Sequence, residues 1–273
     1  GAWGAWKQRP GLSNIALTVA AFAFAAAIGF TGQIFDIAGD PRAAAYMAGS
    51  AALALALAGR STGAACAGVV FIALGDFADR QWFSGAAAEA PWMLAAAPAG
   101  AYLAMRWGSA ALAHVGAAGV LYCFGWFAAR MEAEAGVFLF SSILVGAMAA
   151  GARWLFSRER RYASVLYGWF AWGALMLFAI AGYLPLFGDE DSVLAGFAHR
   201  IIWLIAAGAL VALGRFDRHL IVTTIGVLGF IGAASALLMD LGLHLLASAA
   251  VFLLSACIAL GAGLVLKRGD ADA

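Results

Sequence analysis

Two adjacent ionisable residues, His199 and Arg200, interrupt the apolar stretch 192–214. On insertion scales a charge at the centre of a membrane helix costs about 2.5–3.5 kcal/mol, so Arg200 must face protein, water or a partner acid. Such a residue is by default a candidate for binding or transport chemistry. The structural alternative is that Arg200 extends to the outer headgroups or pairs with an outer acid. Because neighbouring residues lie on different faces of a helix, we do not expect His199 to share a cavity with it.

Acids that could pair with this arginine fall at the ends of other apolar stretches. Asp36 follows Gln33 by three residues, and Asp79 follows Asp76 by the same spacing, so each pair can share a helix face. Asp240 closes a further stretch. A solvated loop acid is the simpler interpretation of Asp79. We predict a water-filled outer vestibule, whose candidate residues are Gln33, Asp36, Asp76, Asp79, Arg200 and Asp240.

Signatures of catalysis or of cofactor binding are weak in this sequence. The glycine-rich segment 108–120 follows no predicted strand, so it lacks the context of a dinucleotide-binding loop. His114 has no second histidine at matched depth, as a bis-histidine haem requires, and is predicted to be a hydrogen-bonded bundle residue. Cys66, Cys123 and Cys257 lack disulfide or metal-ligand spacing. We predict no cofactor, no metal and no enzymatic activity, with an intramembrane enzyme acting on lipid as an alternative.

The composition places these residues in a membrane. Of 273 residues, 65% are hydrophobic and 11% are charged, with a net charge of +1. Soluble domains carry about 25% charged residues. The chain also has no basic stripe that would neutralise nucleic-acid phosphates. We therefore predict a polytopic α-helical membrane protein whose main partner is the lipid bilayer and which binds no nucleic acid.

The apolar stretches define the predicted helices. A helix needs about 20 apolar residues to cross roughly 30 Å of hydrocarbon. The stretches that approach this length are 12–35, 42–59, 61–78, 91–106, 108–128, 136–155, 163–186, 192–214, 220–239 and 244–266. Short connections make successive helices antiparallel neighbours. The sequence thus predicts an all-α bundle of about ten transmembrane helices, forming one membrane domain over residues 1–273.

Basic residues predict the orientation of the bundle. With Arg200 set aside, twelve arginine and lysine residues fall on the side of the N-terminus, and only Arg42, Arg80 and Arg130 fall on the other side. Basic residues near helix ends stay in the cytoplasm. Both termini are therefore predicted to be cytoplasmic.

The segment from Gly32 to Pro41, GQIFDIAGDP, is the most distinctive in the chain. Over roughly residues 1–60 the sequence resembles the uncharacterised bacterial inner-membrane family called domain of unknown function 2157. That family has a GQIY-type helix end followed by a GD turn. Here Phe35 replaces the tyrosine, and Asp36 stands where a histidine is common. The resemblance implies a bacterial inner-membrane location and further helices upstream of residue 1, but no activity.

Two functions fit this architecture. Ten helices divide into halves of five with opposite orientation, an arrangement that underlies several transporter folds, so the first hypothesis is a small-solute transporter or permease. The alternative is an accessory or structural subunit packed against a larger membrane complex. Its support is the 34 glycines and the short loops, which allow close packing. The small-residue pairs Gly208/Ala212 and Gly232/Ala236 predict packing inside the bundle, or a homodimer face as the lesser alternative.

Overall fold

The computed structural model describes residues 10–34, 40–77, 91–131, 134–157, 161–184 and 193–242. Within these ranges the chain forms nine α-helices and no β-strand. The helices are α1 (Pro10–Ile34), α2 (Pro41–Gly59), α3 (Thr62–Phe77), α4 (Met93–Trp107), α5 (Ala110–Arg130), α6 (Ala135–Phe156), α7 (Arg161–Ala181), α8 (Val193–Phe216) and α9 (Leu220–Asp240). The structure thus supports nine helices rather than ten, and the tenth predicted span, 244–266, lies outside the described residues.

Seven of these helices are long and apolar enough to cross a membrane, so a multi-pass membrane protein is confirmed. The two exceptions are α3, with 16 residues, and α4, with 15. At 1.5 Å per residue they rise only about 22–24 Å, less than the hydrocarbon thickness. The shorter one, α4, packs against α3 and α5, and α3 also contacts α1 and α2. Each of the two short helices therefore packs against at least one longer neighbour.

The chain divides into two compact units, Gly1–Pro185 and Leu186–Ala273. In the first unit, sequential helices pack as pairs: α2 with α3, α4 with α5, and α6 with α7. Helix α1 lies against α2 and α3, and α5 also packs on α7. In the second unit, the described helices α8 and α9 form a hairpin. Sequential helices are thus paired neighbours, as their short connections predicted.

A similar two-residue turn closes three of these hairpins. Its first residue has a left-handed backbone, with φ of 51°, 69° or 52°. The backbone N–H of its second residue donates to the carbonyl five residues earlier, and its side chain accepts from the N–H three residues later. This arrangement caps the end of one helix and the start of the next. The turns are Arg60–Ser61, Gly108–Ser109 and Arg218–His219.

Small residues set the distance between paired helices. A Cβ atom added to Gly226 of α9 would lie 2.6 Å from the Val211 nitrogen and 2.9 Å from the Ala207 oxygen of α8. The closest approach of α8 and α9 is therefore at a glycine that the predicted pairs did not include. Gly232 contacts α8 through a tryptophan ring, whereas a Cβ added to Gly208 would meet no atom within 4 Å. The spacing of small residues did not determine which of them lie at the helix contact.

Candidate functional site

The structure describes three of the six side chains predicted for the vestibule. Gln33 lies in the last turn of α1, but its side chain is outside the described part, and so are Asp36 and Asp79. Asp76 belongs to the first unit, and Arg200 and Asp240 belong to the second. The six-residue vestibule therefore stays a prediction.

Arg200 and Asp240 are brought together by the α8–α9 hairpin. Arg200 is the eighth residue of α8 and Asp240 is the last residue of α9, so the antiparallel pairing places one beside the other. The Arg200 Nε donates to Asp240 Oδ2 over 3.2 Å. The two side chains are 6% and 42% exposed. The guanidinium is therefore buried, while the carboxyl that pairs with it is partly exposed.

Two further polar side chains lie within one turn of this ion pair. His199 is 2% exposed, and its Nδ1 lies 3.5 Å from the Arg200 Nη1. Trp203 is 6% exposed, and its indole N–H meets no acceptor within the described residues. His199, Arg200, Trp203 and Asp240 are called the Arg200 cluster below. The two side chains approach each other although they start on different helix faces, and whether they share a cavity stays a prediction.

Asp76 has a different environment at the C-terminal end of α3. It is 3% exposed, and both carboxyl oxygens accept hydrogen bonds. The Trp92 and Met93 backbone N–H groups donate to Oδ1 and Oδ2 over 3.1 and 3.0 Å. The Tyr46 hydroxyl donates to Oδ1 over 2.5 Å. The first N–H groups of a helix lack partners inside it, so Asp76 caps α4 from another helix. Trp92, at the N-cap position, makes no side-chain cap of its own.

Aromatic and basic side chains enclose this cap. The Tyr46 and Trp92 rings stack with centroids 4.6 Å apart, and the Arg42 Nε donates to the Tyr46 hydroxyl over 3.1 Å. A Cβ on Gly75 would lie 2.5 Å from the Tyr46 ring, so glycine makes room for it. Arg42, Tyr46, Asp76, Trp92 and Met93 are called the Asp76 cluster below. Its hydrogen bonds join the ends of α2, α3 and α4.

A groove lies beside the Asp76 cluster, between α2 and α4, with α3 as its floor. The cavity has a volume of about 500 Å³. Its lining is apolar apart from one serine, and the residues are Ser50, Leu53, Ile72, Trp92, Ala95, Ala96 and Ala99. Nothing in the sequence analysis indicated this groove, because three helices must be placed before it exists.

A second polar contact that sequence reasoning missed is at Asn14 of α1. Its Oδ1 accepts from the Ser61 hydroxyl over 2.8 Å and from the Gly63 N–H over 3.1 Å. Ser61 is fully buried in the turn between α2 and α3. An asparagine inside the apolar stretch 12–35 was the available signal. Its amide joins α1 to that turn, which is a structural role.

His114 is hydrogen-bonded within the bundle, as predicted. The Trp169 indole N–H of α7 donates to the His114 Nδ1 of α5 over 2.9 Å. The two rings meet edge to face, with centroids 6.3 Å apart. This contact joins two packed helices and gives His114 a structural role.

No family model, curated protein or solved structure matches this chain. The resemblance of residues 1–60 to domain of unknown function 2157 therefore stays a proposal. The composition and the seven long apolar helices establish the class of the protein, which is a multi-pass α-helical membrane protein.

Proposed function

We propose that this chain is a small-solute transporter or permease of the bacterial inner membrane, with the Arg200 cluster as its solute-contacting element. The observation that carries the proposal is the buried Arg200 guanidinium inside a membrane-spanning helix, paired with the accessible Asp240. Apolar residues can replace many buried ion pairs without loss of stability. An arginine kept at this depth is therefore better explained by contact with a solute than by folding.

The chemistry of the cluster fits a small anion. Arginine presents five N–H donors in a planar fork that matches a carboxylate or a phosphate. Because Asp240 is the more exposed partner, an anionic group that approaches along it can compete for the guanidinium. The buried Trp203 N–H supplies a further donor within one turn of Arg200. The proposed step is an exchange of partner on Arg200, from Asp240 to the solute.

Uptake into proteoliposomes tests this function. The purified chain is reconstituted, and the uptake of a panel of small carboxylates and of phosphate is compared with that of empty liposomes. Arg200→Lys keeps the charge but loses the planar pairing, so we expect uptake to fall by about tenfold or more while the fold is retained. Arg215→Lys, at the other end of α8, is the matched control and should transport like the wild type. Equal uptake by wild type and Arg200→Lys would contradict the proposal.

The alternative function is an accessory or structural subunit, and one observation favours it. In the 18-residue apolar core segment of α1, only 6% is buried within this chain. The corresponding segments of the other six long helices are 28% to 56% buried. A helix this open lies against lipid or against another subunit. A photo-crosslinker placed at Ile15, which is 63% exposed, distinguishes these partners. A specific protein adduct in native membranes, together with no uptake activity, would favour the subunit.

We also propose that both termini of this chain are cytoplasmic, on the strength of the distribution of basic residues. Met131 and Ser157 flank α6 and are both exposed, so they should lie on opposite sides of the membrane. In a chain whose three cysteines are replaced by alanine, Met131→Cys should react with an impermeant thiol reagent in intact cells. Ser157→Cys should react only after lysis. The reverse pattern would invert the proposed orientation.

A further inference from the structure

The groove between α2 and α4 exists because α3 is in close contact with both helices. Gly49 of α2 and Gly68 of α3 let their backbones approach, since a Cβ on either would lie 3.0–3.1 Å from the other's carbonyl oxygen. The buried Ile72 of α3 forms the floor. The facing wall of α4 carries only small side chains, at Ala95, Ala96 and Ala99. The result is an open groove along the helices, because side chains do not fill the space between α2 and α4.

An open apolar groove of about 500 Å³ is occupied by molecules of the surrounding solvent. Helix α2 spans the membrane, and the groove runs beside its central residues Ser50 and Leu53. Water in contact with this apolar lining would lose hydrogen bonds, whereas hydrocarbon has none to lose. An acyl chain therefore suits the groove better than an ordered row of waters does.

At the Trp92 end of the groove, the Asp76 cluster brings Arg42 close to the lining through Tyr46. Trp92 is 50% exposed, and its ring lines the groove while it stacks on Tyr46. Half-exposed tryptophan is typical of the headgroup level of a bilayer. The Arg42 Cζ lies 5.5 Å from the centroid of the same Tyr46 ring. A guanidinium at headgroup level is the side chain that best pairs with a phosphate.

We propose that this groove is a binding site for one phospholipid, with an acyl chain between α2 and α4 and the phosphate at Arg42. The Asp40 carboxyl accepts from the Arg42 backbone N–H over 2.9 Å, so a negative charge lies beside the same residue. A headgroup that adds a positive charge complements this carboxylate, so phosphatidylethanolamine is the probe. The site uses no residue of the Arg200 cluster, and its test is independent of transport.

Native mass spectrometry of the full chain tests the site, after detergent exchange in the presence of phosphatidylethanolamine. The wild type should retain one lipid through activation that strips the other lipids. Ala99 is exposed and lines the groove, so Ala99→Trp should fill the channel and lower retention by about tenfold or more. Arg42→Gln should lower retention by about tenfold, because a charge-assisted hydrogen bond is lost.

Two control variants separate a specific site from lipid bound around the whole protein. Ala147→Trp adds the same ring to an exposed position of α6, and Arg130→Gln removes an exposed arginine at the end of α5. Both should retain the lipid as the wild type does. Retention by Ala99→Trp or by Arg42→Gln at the wild-type level would overturn the proposal, and so would equal loss in the controls. If Ala99→Trp does not fold, Ala99→Leu fills the same channel with a smaller side chain.

Discussion

Asp76 and Asp240 both lie in the last turn of an apolar helix, yet their carboxyl groups have opposite environments. Asp76 is 3% exposed and accepts three hydrogen bonds, two of them from backbone N–H groups at the start of α4. Asp240 has a side chain that is 42% exposed, and it pairs with one arginine. A negative charge is unfavourable at a helix C-terminus. The first acid is compensated by the positive end of another helix, and the second by a side chain.

This difference separates an acid with a structural role, Asp76, from an acid whose arginine partner could be taken over by a solute, Asp240. The partners of Asp76 are main-chain groups and a tyrosine fixed by ring stacking, so releasing them would unravel the start of α4. The partner of Asp240 is a single side chain, and the carboxyl itself is partly exposed, so water or a solute can reach it. We infer that the Asp76 cluster holds the ends of α2, α3 and α4 together, whereas the Arg200 cluster is where the proposed solute contact lies among the described residues of the second unit.

Among these variants, Asp76→Ala is expected to lower the free energy of unfolding the most. It leaves the Trp92 and Met93 N–H groups and the Tyr46 hydroxyl without their acceptor, in a buried place. We expect the free energy of unfolding to fall by about 3–5 kcal/mol. Titration of the protein in mixed micelles with sodium dodecyl sulfate, followed by circular dichroism, measures this change. Asp76→Asn keeps one acceptor oxygen and should lose less. A loss below about 1 kcal/mol would mean that the cap contributes little to stability.

Tyr46→Phe removes one donor from the same carboxyl while it keeps the stacked ring. The two backbone hydrogen bonds to Asp76 remain, so the free energy of unfolding should fall by about 1 kcal/mol in the same titration. Tyr102→Phe is the matched control, because Tyr102 is 60% exposed and should show no change. A loss as large as that of Asp76→Ala would show that the hydroxyl, rather than the helix N-terminus, dominates the cap.

Arg218→Gly tests the type of two-residue turn that occurs in each of the two units. Arg218 has φ of 52°, a left-handed backbone that costs an L-residue strain and glycine almost none. We expect a gain of about 0.5–1 kcal/mol in the free energy of unfolding. The converse change is Gly108→Ala, where φ is 69° and no atom lies within 4 Å of the added Cβ. Gly108→Ala should lower the free energy of unfolding by a similar amount. An increase in that variant would refute the explanation by backbone strain.

The smallest expected effect on stability is that of Arg200→Leu, and it tests the comparison most directly. Asp240 stays partly hydrated when its partner is removed, and leucine is favourable in a membrane helix. The free energy of unfolding should therefore change by less than about 1 kcal/mol, while uptake is lost. If Arg200→Leu destabilised the protein as strongly as Asp76→Ala, the ion pair would be structural too. The subunit alternative would then be the better explanation of the chain.

The sequence alone determined that this protein lies in a membrane and where along the chain its described helices run. Nine of the ten predicted spans are helices in the residues that the structure describes, because the length and hydropathy of an apolar stretch are local properties. The pairing of successive helices followed from connections of a few residues. Even the need of Arg200 for an acidic partner was foreseeable, since a buried charge is costly without one.

Only the tertiary structure decided what each polar residue does. Asp76 and Asp240 look alike in sequence, and their roles differ because one helix end meets the N-terminus of α4 and the other meets an arginine. Asn14 and the groove between α2 and α4 depend in the same way on which surfaces meet. Hydrogen bonds and close contacts act over about 3–4 Å, so they are set by the register and rotation of packed helices. Hydropathy along a single chain carries little information about that register.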